Sequence, residues 1–393
     1  MQGFGIDRTA VAADARTAAR DDWPVLRMEN LDTDLPLPPE AIPETVKGLE
    51  TAKANSWLPF TGDMDLRAAI SDFLAERTGR RYDPEREILI TSGGTEALLD
   101  VMLATVDPGD EVLLTDPTYA GIVNRARVAG GVPLLAPYAV QDQEWRLDLD
   151  AFAAAAAKRP VLAVIMSPSM PSGAVLTHEE WAAVADILGE HEVPLLYDSA
   201  MERLLFDDRP LVHPLHFDGM DERTVIAGSL SKEHRMIGWR VGWVAGPAEL
   251  VESVGWMHVY NTTTPTGISR AAATAVLRGD QGHVADAVAD LERRRDTILD
   301  ALEGWPVVRP AGGWSLLIDA VALGTTPAEL SRVLLEDAAI AATPMTGWGG
   351  EVADRHVRLV FSAEPVEQLA TLQERFAGTR LEAYGSSPRS ART

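Results

Sequence analysis

One lysine and one arginine, Lys232 and Arg240, stand eight residues apart in the glycine-rich segment 228–242. Lys232 follows two serines, Ser229 and Ser231, and Arg240 has a glycine two residues away on each side. A lysine amine forms an imine with an aldehyde, and a guanidinium binds a phosphate through paired hydrogen bonds. Pyridoxal 5'-phosphate (PLP) carries both groups, so this segment predicts a PLP site. The alternative, a solvated loop lysine, is disfavoured by the other polar residues of the sequence.

Further polar residues follow other apolar segments. Residues 92–95, Ser-Gly-Gly-Thr, open a helical pattern, where backbone N–H groups and the helix dipole can bind an anion. Tyr119 could stack on an aromatic ring, and a carboxylate at Asp198 needs a cation such as a protonated pyridine nitrogen. Arg358 lies in an apolar run and needs an anion, such as a substrate carboxylate. Taken singly, each has a structural alternative: a helix cap, a core tyrosine, an N-cap aspartate or an internal ion pair.

Strand-length apolar segments alternate with helical patterns between residues 88 and 246. Strands are predicted at 88–91, 111–115, 161–166, 194–198, 224–228 and 241–245, and helices at 95–106, 120–129 and 179–191. Continuous β-branched runs between helices are typical of a buried, mostly parallel sheet, so the predicted fold class is α/β. Ligands of such sheets bind beyond the carboxyl ends of the strands, which is where the polar residues described above fall.

The C-terminal part of the sequence has a different pattern. A helical pattern over 271–303 is interrupted near 279–282, and strands at 314–319 and 356–361 follow it around a helix at 327–337. We therefore expect a large domain over residues 46–280, with the mostly parallel sheet, and a smaller α+β domain over 281–384. Residues 1–45 are expected to pack with the small domain, and the polar residues 385–393 to be disordered.

Composition narrows the range of partners. The formal net charge of −24 argues against nucleic acid as a partner, and no segment approaches the ~20 apolar residues that cross a membrane. The sequence has no cysteine, which excludes thiolate metal sites and cysteine nucleophiles, and no metal site is predicted. The first 22 residues lack the layout of a signal peptide, so a cytoplasmic protein is expected.

The order and spacing of these pieces resemble the class I and II aminotransferases, which belong to the aspartate aminotransferase superfamily of fold type I PLP-dependent transferases. The resemblance covers residues 31–361, and its most specific part is Ser-x-Ser-Lys followed by Gly-x-Arg-x-Gly. It implies that Lys232 forms the Schiff base and carries protons, and that the enzyme is a homodimer with shared active sites. It also implies roles for other residues: phosphate binding by Gly94, Thr95, Ser229 and Arg240, ring stacking by Tyr119, pyridine-nitrogen pairing by Asp198, and binding of the substrate α-carboxylate by Arg358.

Three positions depart from the family pattern. Met170 stands where the family usually has an asparagine, and Met201 where it usually has a tyrosine. In the family both of those residues donate hydrogen bonds to the phenolic oxygen of the cofactor, whereas a thioether donates none. Trp57 stands where a tyrosine often reaches the phosphate of the neighbouring subunit, and it lacks the hydroxyl. The resemblance therefore places Met170, Met201 and Trp57 at the cofactor without the usual donors.

The missing donors stabilise the phenolate in the family and thereby lower the pKa of the lysine imine. Without them we expect the imine to have a raised pKa and to stay protonated well above neutral pH. The predicted function is an aminotransferase that acts on an amino acid and a 2-oxo acid. The alternative is a PLP enzyme of specialised metabolism that catalyses elimination, replacement, cyclisation or oxidation. Locally, residues 229–232 also resemble the enzymes that make aminocyclopropane carboxylate from S-adenosylmethionine.

Aromatic residues are expected around the substrate. The resemblance places Trp314 near the substrate, together with Trp57 and Trp348, which predicts a crowded aromatic pocket. Arg358 is the predicted partner of the α-carboxylate, and no second arginine is evident for a side-chain carboxylate. Aspartate and glutamate are therefore not expected to be efficient substrates.

Overall fold

A computed structural model describes residues 5–385 of the chain. Its strands are β1 (Leu26–Arg27), β2 (Ile88–Thr91), β3 (Glu111–Asp116), β4 (Val132–Gln141), β5 (Glu144–Leu147), β6 (Leu162–Met166), β7 (Leu195–Asp198), β8 (Thr224–Ser229), β9 (Gly242–Ala245), β10 (Ser315–Asp319), β11 (Ile340–Ala341), β12 (Thr343–Pro344) and β13 (His356–Val360). Its α-helices are α1 (Ile6–Ala19), α2 (Ala41–Leu49), α3 (Met64–Thr78), α4 (Gly94–Thr105), α5 (Ala120–Val128), α6 (Leu149–Ala156), α7 (His178–Glu190), α8 (Ala248–Asn261), α9 (Arg270–Arg278), α10 (Gly282–Ala301), α11 (Pro327–Ala338), α12 (Val366–Leu369), α13 (Leu372–Phe376) and α14 (Glu382–Gly385).

The central sheet has eight strands in the order β2-β9-β8-β7-β6-β3-β4-β5. The strands from β8 through β4 pair in parallel, whereas β9 runs antiparallel to both of its neighbours and β5 runs antiparallel to β4. The predicted α/β class is therefore confirmed, with a mixed sheet that is parallel in its middle. Every residue of β6, β7 and β8 is buried, as expected for continuous apolar strands covered by helices on both faces.

The strands and helices predicted between residues 88 and 246 agree with the structure to within one residue. The sequence analysis did not assign the hairpin of β4 and β5. Pro133 and Pro137 lie inside β4, and prolines weaken a strand assignment because they cannot donate to the ladder. Both prolines lie in the part of β4 that pairs with β3, whereas β5 pairs only with residues 138–141, so β4 has a strand neighbour on one side at the prolines.

A second, antiparallel sheet in the order β10-β13-β12 lies near the C-terminus. Leu316, Ile318, Val357 and Leu359 of this sheet belong to one core cluster with residues of α10 and α11. That cluster also contains Met170, Met201 and Trp314. The small sheet therefore packs against the segments that follow β6 and β7 of the central sheet.

The N-terminal segment reaches the C-terminal part of the chain through a short parallel pairing of β1 with β11. The division into domains at residues 46–280 and 281–384 stays a prediction. The predicted disordered tail, 385–393, lies outside the described residues apart from Gly385. Within residues 5–385, none of the helices combines the length and the apolar character that crossing a membrane requires.

Candidate active site

The carboxyl ends of five strands, β2, β3, β6, β7 and β8, lie along one edge of the central sheet. This follows because β3, β6, β7 and β8 are parallel, and β2 and β8 both run antiparallel to β9. Most of the predicted cofactor residues lie at or just beyond these ends: Gly94 and Thr95 after β2, Tyr119 after β3, Met170 after β6, Asp198 and Met201 at and after β7, and Ser229 and Lys232 at and after β8.

Lys232 is held by one hydrogen bond and one aromatic contact. Its Nζ donates to the carbonyl oxygen of Leu31 at 3.1 Å, and it lies 4.2 Å from the centre of the Trp314 ring. An ammonium above an indole face is attracted by the ring quadrupole. The N-terminal segment and the residue just before β10 thus contact the lysine amine. Trp314 is fully buried against Lys232, so it lies inside the site and not at an exposed mouth.

The environment of Lys232 favours its neutral amine. Its pKa is lowered to about 7, chiefly by burial; the positive charges of Arg358 and Arg240 act in the same direction, and Asp32 and Asp198 oppose them. A lysine with an ordinary pKa is almost entirely protonated at neutral pH, and the ammonium form cannot attack a carbonyl. Lys232 can therefore act both as a nucleophile and as a proton carrier near neutral pH.

The guanidinium of Arg240 lies at the start of α4. Its Nη2 donates to the carbonyl oxygen of Ser92 at 3.1 Å and contacts the Thr95 hydroxyl at 3.4 Å, while Nη1 donates to Ile237 at 2.9 Å. Arg240 itself adopts a left-handed backbone conformation with φ of 53°. A positive side chain at a helix N-terminus makes an anion site, because the free N–H groups and the helix dipole act in the same direction.

Glycines keep the space around this guanidinium open. Gly93 has φ of +88°, and a Cβ built on it would lie 2.4 Å from Arg240 Nη2. A Cβ built on Gly94 would lie 3.3 Å from the Cβ of Ser229. The turn therefore needs glycine at residue 93 for both conformation and space. The predicted phosphate residues Gly94, Thr95, Ser229 and Arg240 are brought together as the sequence analysis expected.

Asp198 is a buried carboxylate at the end of β7. Its Oδ1 accepts the backbone N–H of Ala200 at 3.1 Å. Burial raises its pKa to about 6, although that hydrogen bond and the charges of Arg125 and Lys232 act in the opposite direction. A buried carboxylate of this kind is stabilised when a cation binds beside it.

Arg358, in β13, is fully buried with only part of its hydrogen-bonding capacity used. Its Nη2 donates to the carbonyl oxygen of Glu29 at 2.6 Å, but Nε and Nη1 have no hydrogen-bond partner within residues 5–385. Burial lowers its pKa to about 9. Unsatisfied buried donors are costly, by about 1–3 kcal/mol or more each for charged groups. A carboxylate bound along one edge of the guanidinium would pair with Nη2 and one of these two nitrogens, which fits the predicted substrate contact.

Two aromatic rings connect Arg358 to the edge of the sheet. The guanidinium lies 4.4 Å from the centre of the Trp348 ring, and that ring is 5.9 Å from the ring of Tyr119 in an edge-to-face arrangement. The backbone N–H of Thr118 donates to the carbonyl oxygen of Trp348 at 2.8 Å, which holds the two segments together. Of the three tryptophans expected around the substrate, Trp314 lies against Lys232 and Trp348 against Arg358.

Met170 and Met201 are both buried in the apolar cluster that contains Trp314. Ser315 Oγ donates to the carbonyl oxygen of Pro171 at 2.8 Å, so the strand after Trp314 is tied to the segment of Met170. A Cβ built on Gly313 would lie 3.6 Å from Met201 Cε. Thioethers and an indole therefore occupy the region where the family pattern has an amide and a phenol.

Trp57 is not brought to the site by this chain. It lies on the surface with 70% of its area exposed, and its ring is 5.9 Å from that of Phe60.

Several contributors could not be found from the sequence. Glu29 and Leu31 act through backbone carbonyls, which leave no residue-type pattern. Arg125 donates from Nε to the carbonyl oxygen of Thr95 at 2.7 Å, and its charge acts on Asp198. An arginine on the helix that follows Tyr119 is a weak signal, because helices carry many surface arginines.

The lowered pKa of Lys232 can be tested by carbamylation with potassium cyanate, which reacts with neutral amines. The chain has three other lysines, Lys47, Lys53 and Lys158, all exposed, and they are internal controls. In protein freed of any bound aldehyde, at pH 7.5, we expect Lys232 to react at least ~10-fold faster than these three. Arg358→Gln should slow the reaction, because the Arg358 charge lowers the pKa of Lys232. Peptide mass spectrometry measures each rate, and equal rates for all four lysines would contradict the assignment.

Known proteins are similar to this chain over most of its length. Residues 26–376 match the family model of aminotransferase class I and II. The chain is 30% identical over 349 residues to LL-diaminopimelate aminotransferase of Desulforudis audaxviator, and the match covers 88% of each chain. It is 29% identical over 341 residues to aspartate aminotransferase of Pyrococcus abyssi, and that match covers 86% of this chain and 87% of the relative. The solved structure of N-succinyldiaminopimelate aminotransferase from Mycobacterium tuberculosis superposes with a TM-score of 0.87 at 29% identity, over 95% of this chain and 96% of that chain. The chain therefore belongs to the class I and II aminotransferase family, with the fold type I architecture.

Proposed function

We propose that this enzyme is a PLP-dependent aminotransferase that moves an amino group between an amino acid and a 2-oxo acid, with Lys232 at the reacting centre. The observation that carries the proposal is the convergence of charges on one amine. Arg358, Asp198 and Arg240 all act on Lys232 Nζ, although they come from three separate segments of the chain. An electron-withdrawing aldehyde cofactor needs such an arrangement, with a neutral amine between an anion site and a buried carboxylate.

The residues present fit PLP. Gly94, Thr95, Ser229 and Arg240 would hold its phosphate, Asp198 its pyridine nitrogen and Tyr119 one face of its ring, with Met170 and Met201 beside its phenolic oxygen. The space that Gly93 leaves before Arg240 and the buried carboxylate of Asp198 are the observations that favour this fit. When bound, PLP supplies an electron sink for the bond that breaks at the substrate α-carbon.

The protein's own groups would divide the work of the reaction. Arg358 binds the α-carboxylate along one edge of its guanidinium, where one nitrogen is unpaired within the described residues, and Trp348 supports the guanidinium from one side. Lys232 Nζ, neutral near pH 7, accepts the α-proton and returns it to the neighbouring carbon, so no net proton is lost in the transfer. Trp314 stabilises the charged form of Nζ after it takes up the proton.

The alternative chemistries begin with the same proton abstraction. The two methionines motivate them, because they change the hydrogen bonding expected at the phenolic oxygen. The relatives named above are all aminotransferases, which favours amino-group transfer for this chain. Those relatives differ in the substrates that their names state, so the identity of the amino acid is left to experiment.

The function is tested by a half-reaction. Protein loaded with PLP is mixed with single amino acids, and we expect the visible absorbance to give way to the near-ultraviolet band of the amine form, with a 2-oxo acid reversing the change. Arg358→Lys should raise the amino acid concentration needed for half-conversion by about 100-fold, because the paired carboxylate contact is lost. A lasting visible band without the amine form, for every amino acid and for S-adenosylmethionine, would instead support the alternative chemistries.

The raised pKa of the lysine imine is tested by Met201→Tyr. A phenol at this position would donate to the phenolate of the cofactor and lower the imine pKa by about one pH unit or more. Met201→Phe places a ring without the hydroxyl and is the matched control. Absorbance against pH measures both variants and the unmodified enzyme. A titration of the unmodified enzyme near neutral pH, or identical titrations for the two variants, would contradict the prediction.

We infer that the enzyme is a homodimer with shared active sites. Large apolar side chains are exposed together around α8 and the segment before α3, namely Trp57, Phe60, Trp256, Tyr260 and Ile268. Phe60 and Trp256 line one groove of about 330 Å³. Contiguous exposed apolar residues of this kind mark protein interfaces. In a dimer, Trp57 could reach the partner's site, which it does not reach within its own chain.

The dimer is tested by sedimentation velocity. Tyr260→Glu puts a charge into the proposed interface, at a residue that is 81% exposed, and should shift the protein toward the monomer. Val11→Glu, at a residue 68% exposed on α1, is the control for added surface charge and should leave the dimer intact. A monomeric unmodified protein, or equal effects of the two variants, would overturn the inference.

A further inference from the structure

Three ionisable side chains form a buried cluster behind the turn that holds Arg240. Glu96 and Asp100 come from α4 and His258 from α8, and one ligand atom of each lies within 4.8 Å of the others. His258 Nδ1 is 3.1 Å from Glu96 Oε1 and 3.6 Å from Asp100 Oδ2. The proposed function does not use any of these three residues.

The cluster is connected to the phosphate turn through the backbone. Glu96 accepts the backbone N–H of Ser92, and the carbonyl oxygen of the same serine accepts from Arg240 Nη2 at 3.1 Å. Thr262 also donates its hydroxyl to Glu96, and Asn261 Nδ2 donates to Asp100 at 3.0 Å. The C-terminal end of α8 therefore positions the carboxylate of Glu96, and that carboxylate in turn binds the backbone of Ser92.

The charges of this cluster oppose the proposed ligand. Glu96 lies in the first turn of α4, so its carboxylate competes with a phosphate for the positive end of the same helix dipole. Asp100 adds a second buried carboxylate one turn later. Two anions behind an anion site would weaken phosphate binding, since repulsion is poorly screened in a buried environment.

His258 supplies the opposite charge. Burial alone would lower its pKa, but the hydrogen bonds and charges of Asp100 and Glu96 raise it to about 9. The imidazolium therefore persists at neutral pH and leaves a net charge of about −1 on the three side chains in place of −2. Two arginines also contact this turn: Arg240 donates to the carbonyl oxygen of Ser92 and Arg125 to that of Thr95.

We propose that His258, as an imidazolium, is a positioning residue of the phosphate site: it offsets Glu96 and Asp100 and holds the Ser92–Gly94 turn in place for Arg240. The proposal rests on the proposed function, because the phosphate is that of PLP. His258 does not touch the cofactor. It acts through Glu96 and the backbone of Ser92.

The test compares two ligands that cannot form an imine with Lys232. Pyridoxamine 5'-phosphate and pyridoxamine differ only in the phosphate. Fluorescence titration of cofactor-free protein gives the affinity for each, and the ratio used here is the affinity for pyridoxamine 5'-phosphate divided by that for pyridoxamine. His258→Gln removes the positive charge and should lower this ratio about tenfold. A merely structural role would weaken both ligands and leave the ratio unchanged.

Charge-balanced variants sharpen the comparison. Glu96→Gln combined with His258→Gln restores the net charge of the cluster, so the ratio should return toward that of the unmodified protein. Glu96→Gln alone makes the cluster less negative and should raise the ratio, which gives a second readout should His258→Gln fail to fold. A double variant that is worse than His258→Gln, or a ratio that Glu96→Gln leaves unchanged or lowers, would overturn the proposal.

Two further outcomes are informative. Dialysis against a chelator should leave the affinity ratio of each variant unchanged, because a proton on His258 and not a metal ion supplies the positive charge. If the protein retains a metal ion and chelation lowers the ratio, the proposal is contradicted. Failure of the unmodified protein to bind pyridoxamine 5'-phosphate at all would refute the proposed function. Tight binding with an unchanged ratio in His258→Gln would refute only the role of His258.

Discussion

The site depends on the close approach of three backbone segments at Gly242. This residue opens β9 and pairs with Thr91 at the end of β2 on one side and with Ser229 at the end of β8 on the other. A Cβ built on it would lie 2.4 Å from the carbonyl carbon of Gly93. Only glycine lets β9 lie so close to the start of α4. Because Arg240 comes two residues before Gly242 and Lys232 three after Ser229, this contact places the phosphate residues and the lysine at the same edge of the sheet.

The same edge concentrates buried charges that the described residues pair only in part. Lys232, Asp198 and Arg358 have pKa values displaced toward their neutral forms chiefly by burial, which reflects desolvation without full pairing. Buried charges of this kind are stabilised by a bound group of opposite charge. A cofactor and a substrate that pair these groups should therefore stabilise the folded chain.

Much of this arrangement could be predicted from the sequence, and the reasons are physical. The strands at 88–91 and 224–228 are continuous apolar runs, so their ends and the polar residues after them could be located closely. Residues that act through their backbone, such as Glu29 and Leu31, could not be found, because any side chain would serve. The pairing of His258 with Glu96 joins residues 162 positions apart. The distance between α4 and α8 along the sequence does not reveal this contact, which only the folded structure shows.

Two features of the site would favour positive charge on the nitrogen of Lys232: the methionines Met170 and Met201 in place of hydrogen-bond donors, and the indole of Trp314. Removing donors from a phenolate makes the neighbouring imine more basic, and an indole face 4.2 Å from Lys232 Nζ stabilises positive charge on the same nitrogen. With PLP bound, both effects would favour a protonated imine at Lys232, and a raised pKa would keep it in that form over a wide pH range. The proton-accepting role of Lys232 belongs to its free amine, whose pKa is a separate property. Burial and the charge of Arg358 lower the pKa of that amine, so the apolar substitution of the two donors is compatible with amino-group transfer.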